Sequence, residues 1–418
     1  MANAFFVNER FHYGWVIALT GALVLFACLG LGRFALGMLL PSMGFSLDLS
    51  YSQMGLIGTG NFTGYMISVV LAGIMARAVG ATKTIAAGLL LVGASILLVS
   101  RSNGFLQVLF LYALTGMGSG LANVPMMGLV SHWFKKDTRG RAAGTMLSGN
   151  GIAIVFSGLL IPWINADLGP EGWRTGWLVI GIACACIAVI AALLLKNSPE
   201  ELDLAPMGKP DPSPDHAPGE DNPLSSNAVT QNRHKWTMIH LGCIYAFFGA
   251  TYVVYATFIV TSLVDERGFG EGSAGTFWAV VGALSIFSGP LFGGLSDRLG
   301  RKITIIAVYA LFTVSYALAA AAHAAVLLYV SIGIFGLAVW SIPTIMSAAV
   351  GDYMGPQNAV RAFGFITLFF GAGQIAGPAL AGFLADSFGS FSPAFYLCAF
   401  LTACGAVLTV FLRPGVRS

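Results

Sequence analysis

Apolar residues run along this chain in long stretches, broken by short clusters of charge, glycine and proline. A helix needs roughly 20 apolar residues to cross a hydrocarbon core about 30 Å thick. Runs of that length predict twelve spans, at 14–43, 51–76, 82–100, 104–131, 141–165, 173–196, 236–264, 273–296, 303–322, 325–350, 362–385 and 391–412. One interruption is long. Residues 197–235 hold seven prolines and seven acids, among them Pro210, Pro212, Pro214, Glu200, Glu201 and Asp211. That composition predicts a flexible polar linker. It divides the chain into a six-helix bundle at 1–196, a cytoplasmic linker at 197–235 and a second six-helix bundle at 236–418.

Composition narrows the class. Of 418 residues, 56% are hydrophobic and 9% charged, with mean hydropathy +0.80. Soluble domains carry about a quarter charged residues. A soluble globular protein, a disordered chain and a nucleic-acid binder are therefore excluded. What remains is an all-α membrane protein, because helices satisfy their backbone polar groups internally. The first apolar run is longer than a signal peptide's core of roughly 7–15 residues, so no cleaved leader is expected. The six cysteines lie in apolar runs and imply neither a disulfide framework nor a metal site.

The net charge is only +3, but its placement is asymmetric. With the N-terminus inside, all but four of the 21 Lys and Arg face the cytoplasm. The exceptions are Arg33, inside span 1, and Arg101, Arg174 and Arg267 on the far side. The positive-inside rule then puts both termini in the cytoplasm and the chain in the inner (plasma) membrane.

The two halves match at a fixed offset. Shifted by 220, Gly73 falls on Gly293, Gly80 on Gly300, Gly116 on Gly336, Gly144 on Gly364 and Gly151 on Gly371. Arg141-Ala142 falls on Arg361-Ala362. One gap-free offset through spans 2–5 and 8–11 predicts two pseudo-symmetric bundles made by parallel duplication. In transporters of that design the substrate site lies between the halves near the midplane.

The second copy reads Gly293-Gly294-Leu295-Ser296-Asp297-Arg298-Leu299-Gly300-Arg301-Lys302. This resembles the signature loop between helices 8 and 9 of the major facilitator superfamily. The segment from Trp133 to Arg141 resembles that family's loop between helices 4 and 5. The first copy, Gly73 to Gly80, has Arg77 where the family usually has Asp. The resemblance covers essentially the whole chain. It implies a monomeric secondary transporter working by alternating access, with no cofactor. It also implies a charged conformational latch of Gly293, Asp297, Arg298, Gly300 and Arg301, joined by Arg141 and Arg361. In the family this latch braces the outward-facing state and presents its Asp to a helix N-terminus. Within the superfamily, an arginine-bearing first helix (Gly30-Leu31-Gly32-Arg33-Phe34) resembles bacterial members of the monocarboxylate, oxalate/formate or cyanate-permease type. Known monocarboxylate carriers have an Arg in helix 8, whereas Gly275 to Gly294 here is uncharged.

Arg33 is the one Asp, Glu, Lys or Arg well inside a predicted span. A charge there is costly unless it faces protein or a water-filled cavity. Its guanidinium could capture a carboxylate in bidentate fashion, or it could be a structural arginine on helix carbonyls. Tyr245, Tyr252 and Tyr255 on span 7 could supply hydroxyls opposite it, or form an aromatic packing stripe. Asn61 and Tyr65 on span 2, Tyr112 and Asn123 on span 4, Asn150 on span 5 and Gln374 on span 11 are further buried polar candidates. Interhelical hydrogen bonding alone could account for each. Trp278 and Trp340 are candidate cavity caps or packing residues. Gly116-Met117-Gly118-Ser119-Gly120 lacks the strand–loop–helix setting of a phosphate loop and reads as close helix contact.

No acid is expected inside a span. That absence, and the lack of a glycine–proline motif in span 5, argue against efflux of cationic drugs. A lone cation suits a small organic anion, a monocarboxylate first, carried by proton symport or exchange. The expected partners are that anion, protons and lipid. The alternatives are an exporter of a metabolite or drug, and a transporter-like sensor. An enzyme is not expected, since the spans hold no nucleophile, metal cluster or acid–base pair.

Overall fold

The computed structural model describes residues 12–208, 228–321 and 324–412. Among the described residues, twelve helices cross the apolar layer. They are α1 Gly14–Leu47, α2 Tyr51–Val79, α3 Ala81–Val99, α4 Phe105–Trp133, α5 Lys136–Leu168, α6 Gly172–Leu194, α7 Ala228–Thr261, α8 Glu271–Leu299, α9 Arg301–Ala321, α10 Ala325–Met354, α11 Pro356–Phe388 and α12 Ser392–Val410. α5 and α6 form a continuous apolar stretch of 58 residues, turned back by the short 3₁₀ element Gly169–Glu171. At 1.5 Å per residue, that stretch is long enough for two crossings. Large apolar side chains such as Leu19, Val70, Leu193 and Phe383 stand exposed on the outer faces. In lipid these are the satisfied positions.

The linker differs from expectation at both ends. Residues 197–208 dock on the α4–α5 junction. Met207 exchanges backbone hydrogen bonds with Trp133 and Lys135, at 2.9 Å each. Asn197 caps the amide of Thr82 at 3.1 Å. At the other end α7 starts at Ala228, well before the apolar run at 236. Hydropathy marks the membrane-embedded part of a helix, and a polar first turn continues it without that signal. Residues 209–227, most of the expected linker, lie outside the described residues.

The 220-residue repeat is visible as repeated contacts. A Cβ built on Gly116 would lie 1.9 Å from the Asn61 carbonyl oxygen, and one on Gly336 would lie 2.9 Å from Val281, the residue equivalent to Asn61. Gly151 packs on Ile286, and Gly371 packs on Met66, the residue equivalent to Ile286. A Cβ on Gly275 would lie 2.2 Å from the Gly158 carbonyl oxygen, and one on Gly55 would lie 2.2 Å from that of Pro378. Thr84 bonds the Gly80 carbonyl just as Thr304 bonds that of Gly300. Gly80 and Gly300 turn the chain with φ of +94° and +89° and ψ near 150°, a region open essentially to glycine alone. Gly300→Ala is therefore expected to cost roughly 1–3 kcal/mol, read as a lower melting temperature in detergent.

These contacts place the two halves relative to each other. The helix pairs α2/α11 and α5/α8 meet along the segments that lead to the α1–α2 and α7–α8 loops. At the opposite ends of the same helices, a Cβ on Gly73, Gly144, Gly294 or Gly364 would meet nothing within 4 Å. The molecule is closed at one end and parted at the other. The parted end carries Arg77, Lys83, Lys135, Arg139, Arg141, Arg298, Arg301, Lys302 and Arg361.

Candidate functional site

The site is organised by a fault in α1. From Phe26 to Phe34 the helix winds as a π-helix, whose i→i+5 bonding changes the register of its carbonyls. Neighbouring helices catch those carbonyls. Ser119 Oγ donates to Cys28 at 2.6 Å, Asn61 Nδ2 to Gly32 at 3.4 Å and Tyr112 Oη to Arg33 at 3.0 Å. Buried carbonyls need such partners. Gly30 allows the close packing on α5, since a Cβ there would lie 2.2 Å from that of Ala153.

Arg33 lies in the last turn of the π segment and projects toward α2. Its Nε donates to Asn61 Oδ1 at 3.4 Å. Its guanidinium carbon lies 4.5 Å from the ring centres of both Phe62 and Tyr65. Cation–π contact of this kind holds a planar guanidinium in a fixed orientation. No carboxylate lies within ion-pair distance among the described residues. Among the described residues Arg33 Nη2 is buried and has no hydrogen-bond partner, although the guanidinium lies close to the Tyr252 hydroxyl. An unpaired buried donor on a charged group is costly, so a native structure usually provides a partner.

A narrow space opens beside it. Arg33, Phe34, Asn61 and Tyr112 line it from one half, and Val253, Ala256 and Thr257 from the other. Trp340 stands beside this space, 5.6 Å from Phe34 and 6.3 Å from Tyr252, ring centre to ring centre. It sits where α10 breaks between Ala338 and Ser341.

The structure brings most of the sequence candidates together. Asn61 and Tyr112 touch Arg33 or its backbone, but both are occupied in holding α1. Tyr65 lies on the guanidinium, and its hydroxyl accepts from Asn123 at 2.8 Å. Gln374 Nε2 donates to the Tyr252 hydroxyl. Tyr245 stacks on Phe370 in the same aromatic column as Tyr252. Tyr255 points elsewhere. It stacks on Phe335 at 4.1 Å and bonds Ser331 at 2.8 Å inside its own bundle. Ten residues of helix turn Tyr255 about 80° away from Tyr245, so the three tyrosines do not share a face. Asn150 is buried with its Oδ1 unpartnered. Trp278 is buried with its indole N–H unpartnered.

Sequence reasoning missed Phe62 and Ser119. Phe62 has a weak signal, standing three residues before Tyr65 on a helix face that also carries Asn61. Ser119 has none, since its role depends on the π segment it serves.

The charged loop binds within one half. Arg301 pairs with Asp297 at 2.5 Å and with Asp352 at 2.8 Å, and also donates to Ser296. Asp297 thus faces Arg301 rather than a helix N-terminus. Gly293 packs on Thr344 of the same half. Arg298 and Arg361 are exposed, and Arg141 lies over the Trp15 ring at 5.8 Å. Asp352, on α10, was not among the sequence candidates.

Twelve helices in two repeated bundles, with a polar cluster between them, are matched by one family profile. The family described as Major Facilitator Superfamily matches residues 22–347 and 283–418. The chain belongs to the Major Facilitator Superfamily. Members of this superfamily are transporters, and the chain is a membrane transporter rather than an enzyme. It is 27% identical over 401 residues to the hexuronate transporter of Bacillus subtilis (strain 168), covering 92% of this chain and 91% of the relative. It is 24% identical to mouse (Mus musculus) monocarboxylate transporter 11, covering 97% and 89%. Among solved structures, the nucleoside transporter NupG superposes with TM-score 0.73 at 13% identity, covering 96% of this chain and 99% of that one. A bacterial homologue of human Spinster, titled inward-facing and unoccupied, superposes with TM-score 0.68 at 15% identity, covering 96% and 95%.

Proposed function

We propose that this superfamily member is a secondary transporter of small organic anions, with Arg33 as the anchor for a substrate carboxylate. The observation that carries this reading is the unpaired Arg33 Nη2 beside the cavity between the halves. A carboxylate there would satisfy the donor and balance a charge that has no counter-ion among the described residues. Phe62, Tyr65 and Asn61 keep the guanidinium plane fixed for it. Val253, Ala256 and Thr257 line the facing side, with Tyr252, paired with Gln374, and Trp340 next to them. The hexuronate and monocarboxylate relatives, and the probable sulfoacetate transporter SauU of Cupriavidus necator, all carry names of organic acids.

The transporter sits in the inner membrane with both termini cytoplasmic, so the parted, cation-rich end faces the cytoplasm. Those cations raise the local concentration of anions at the cavity mouth. Transport proceeds by alternating access. The coupling is proton symport or exchange, in which the substrate itself neutralises Arg33 on each crossing. The bundles are 1–196 and 236–418, the protein works as a monomer, and Asp297, Arg298 and Arg301 re-form a latch when the parted end closes.

Reconstitution in liposomes tests this. Labelled monocarboxylates, a hexuronate and sulfoacetate are offered with and without an inward proton gradient, and with unlabelled substrate trapped inside. Uptake of at least one acid, stimulated by the gradient or by trapped substrate, is expected. Uptake confined to neutral or cationic solutes would sink the proposal.

A further inference from the structure

The contacts that shut the closed end are of two kinds. Glycines allow close approach but give it no direction. Polar bridges do give direction: the Thr59 hydroxyl donates to the Ile375 carbonyl at 2.8 Å nearer the middle of α2 and α11, and two more stand at the helix ends. Asp386, near the end of α11, accepts hydrogen bonds from the backbone amides of Tyr51 at 2.8 Å and Ser52 at 2.9 Å. Those amides belong to the first turn of α2, in the other half.

The first turn of α2 is incomplete without that carboxylate. Its capping box satisfies two amides: Ser50 Oγ accepts from Gln53 N at 3.3 Å, and Gln53 Oε1 accepts from Ser50 N at 3.1 Å. The box leaves the amides of Tyr51 and Ser52 open, since the first amides of a helix have no acceptor in their own helix. Asp386 fills both and adds a negative charge at the positive end of the helix dipole. Tyr51 also meets Phe391 of the opposite half, ring centres 4.7 Å apart.

The second bridge occupies the repeat-related place. Asn165, near the end of α5, donates to Glu271 at the start of α8 at 2.6 Å. Shifted by 220, Asn165 falls on Ala385, next to Asp386, and Glu271 falls on Tyr51. Each bridge joins the end of a helix in one half to the start of a helix in the other. We infer that Asp386 and the Asn165–Glu271 pair are a two-point latch that holds this end of the transporter closed. Opening this end must separate both bridges and leave the Tyr51 and Ser52 amides without their acceptor. At the other end, by contrast, Asp297 and Asp352 are both taken up by Arg301 within one half. The inference does not depend on which solute is carried or on which way the chain faces.

The test uses the full-length protein in detergent, in a cysteine-free background, with spin labels at Phe45 and Phe388. Both positions are exposed, one on each half, at the closed end. Double electron–electron resonance reads the distance across that end. Asp386→Ala with Asn165→Ala is expected to raise the population with a wide separation about tenfold, as loss of charge-assisted bonds implies. A second comparison removes one amide without touching the carboxylate. Proline is tolerated at the first helical position, and Ser50 before it is already extended. Tyr51→Pro and Tyr51→Ala lose the same ring contact, but only the proline loses the amide. Tyr51→Pro is expected to widen the distribution more than Tyr51→Ala. Identical distributions for wild type and the double variant would overturn the latch. If the double variant fails to fold, equal distributions for Tyr51→Pro and Tyr51→Ala overturn it instead.

Discussion

Arg33→Lys is expected to reduce the initial rate of uptake roughly a hundredfold or more, for whichever acid the wild type carries. Removing one partner of a buried, hydrogen-bonded charge pair costs about 2–5 kcal/mol, and 1.36 kcal/mol is tenfold in rate. Lysine keeps the charge but not the function argued for it. Its ammonium is a point charge, without the flat fork that meets both carboxylate oxygens. It also cannot lie flat between Phe62 and Tyr65, which hold the guanidinium carbon at 4.5 Å from each ring. The fold should survive, because the Nη2 donor at issue has no partner among the described residues. A melting curve close to wild type together with the collapsed rate separates a lost substrate contact from a damaged bundle. Arg33→Lys with a wild-type rate would show that the arginine is structural.

Side chains added at Gly55 or Gly275 should arrest the transporter open at the end that is now closed. A Cβ at Gly55 would come 2.2 Å from the Pro378 carbonyl oxygen, and one at Gly275 would come 2.2 Å from that of Gly158. In each case the obstacle is backbone of the opposite half, which cannot turn aside as a flexible side chain can. Gly55→Leu and Gly275→Leu therefore force the halves apart there while leaving each bundle's own packing in place. Moving a two-state equilibrium from 1:99 to 99:1 takes about 5.5 kcal/mol. Two overlaps of this depth, at repeat-related positions, act in the same direction. The double variant is expected to lose nearly all transport and to expose a cysteine at Thr257, beside the cavity, to impermeant thiol reagents from the closed end. The pair has a different signature from Arg33→Lys, which leaves accessibility unchanged. Full transport by the double variant would mean that the halves do not meet as described.

The sequence and the structure agree most where physics is most local. Span positions follow from hydropathy, since only a helix can carry its backbone through lipid. Two of the repeat's legible glycines, Gly116 and Gly151, prove to be places where helices nearly touch. Arg33 stood out because a charge in a span is rare. Its setting was less legible. The π segment depends on Asn61, Tyr112 and Ser119, which reach it from two other helices, so no local pattern marks it. Tyr245 and Tyr255 share span 7, but ten residues of helical rotation turn them to different faces. The docked segment at 197–208 looked flexible because its prolines and acids hide the backbone pairing of Met207. Nor could the sequence show which end is shut, because duplicated contacts of one kind serve both ends of a rocking pair. The partners of Arg301 illustrate the same limit of local reading, since Asp352 lies 51 residues away.

The central claim is that a substrate carboxylate completes Arg33 in the space between the halves. A structure of the wild-type protein bound to an acid that it transports tests this most directly. The account predicts a carboxylate oxygen within hydrogen-bond distance of Arg33 Nη2, with the rest of the molecule toward Tyr252 and Trp340. A transported acid bound elsewhere, with Nη2 still unpaired, would contradict it.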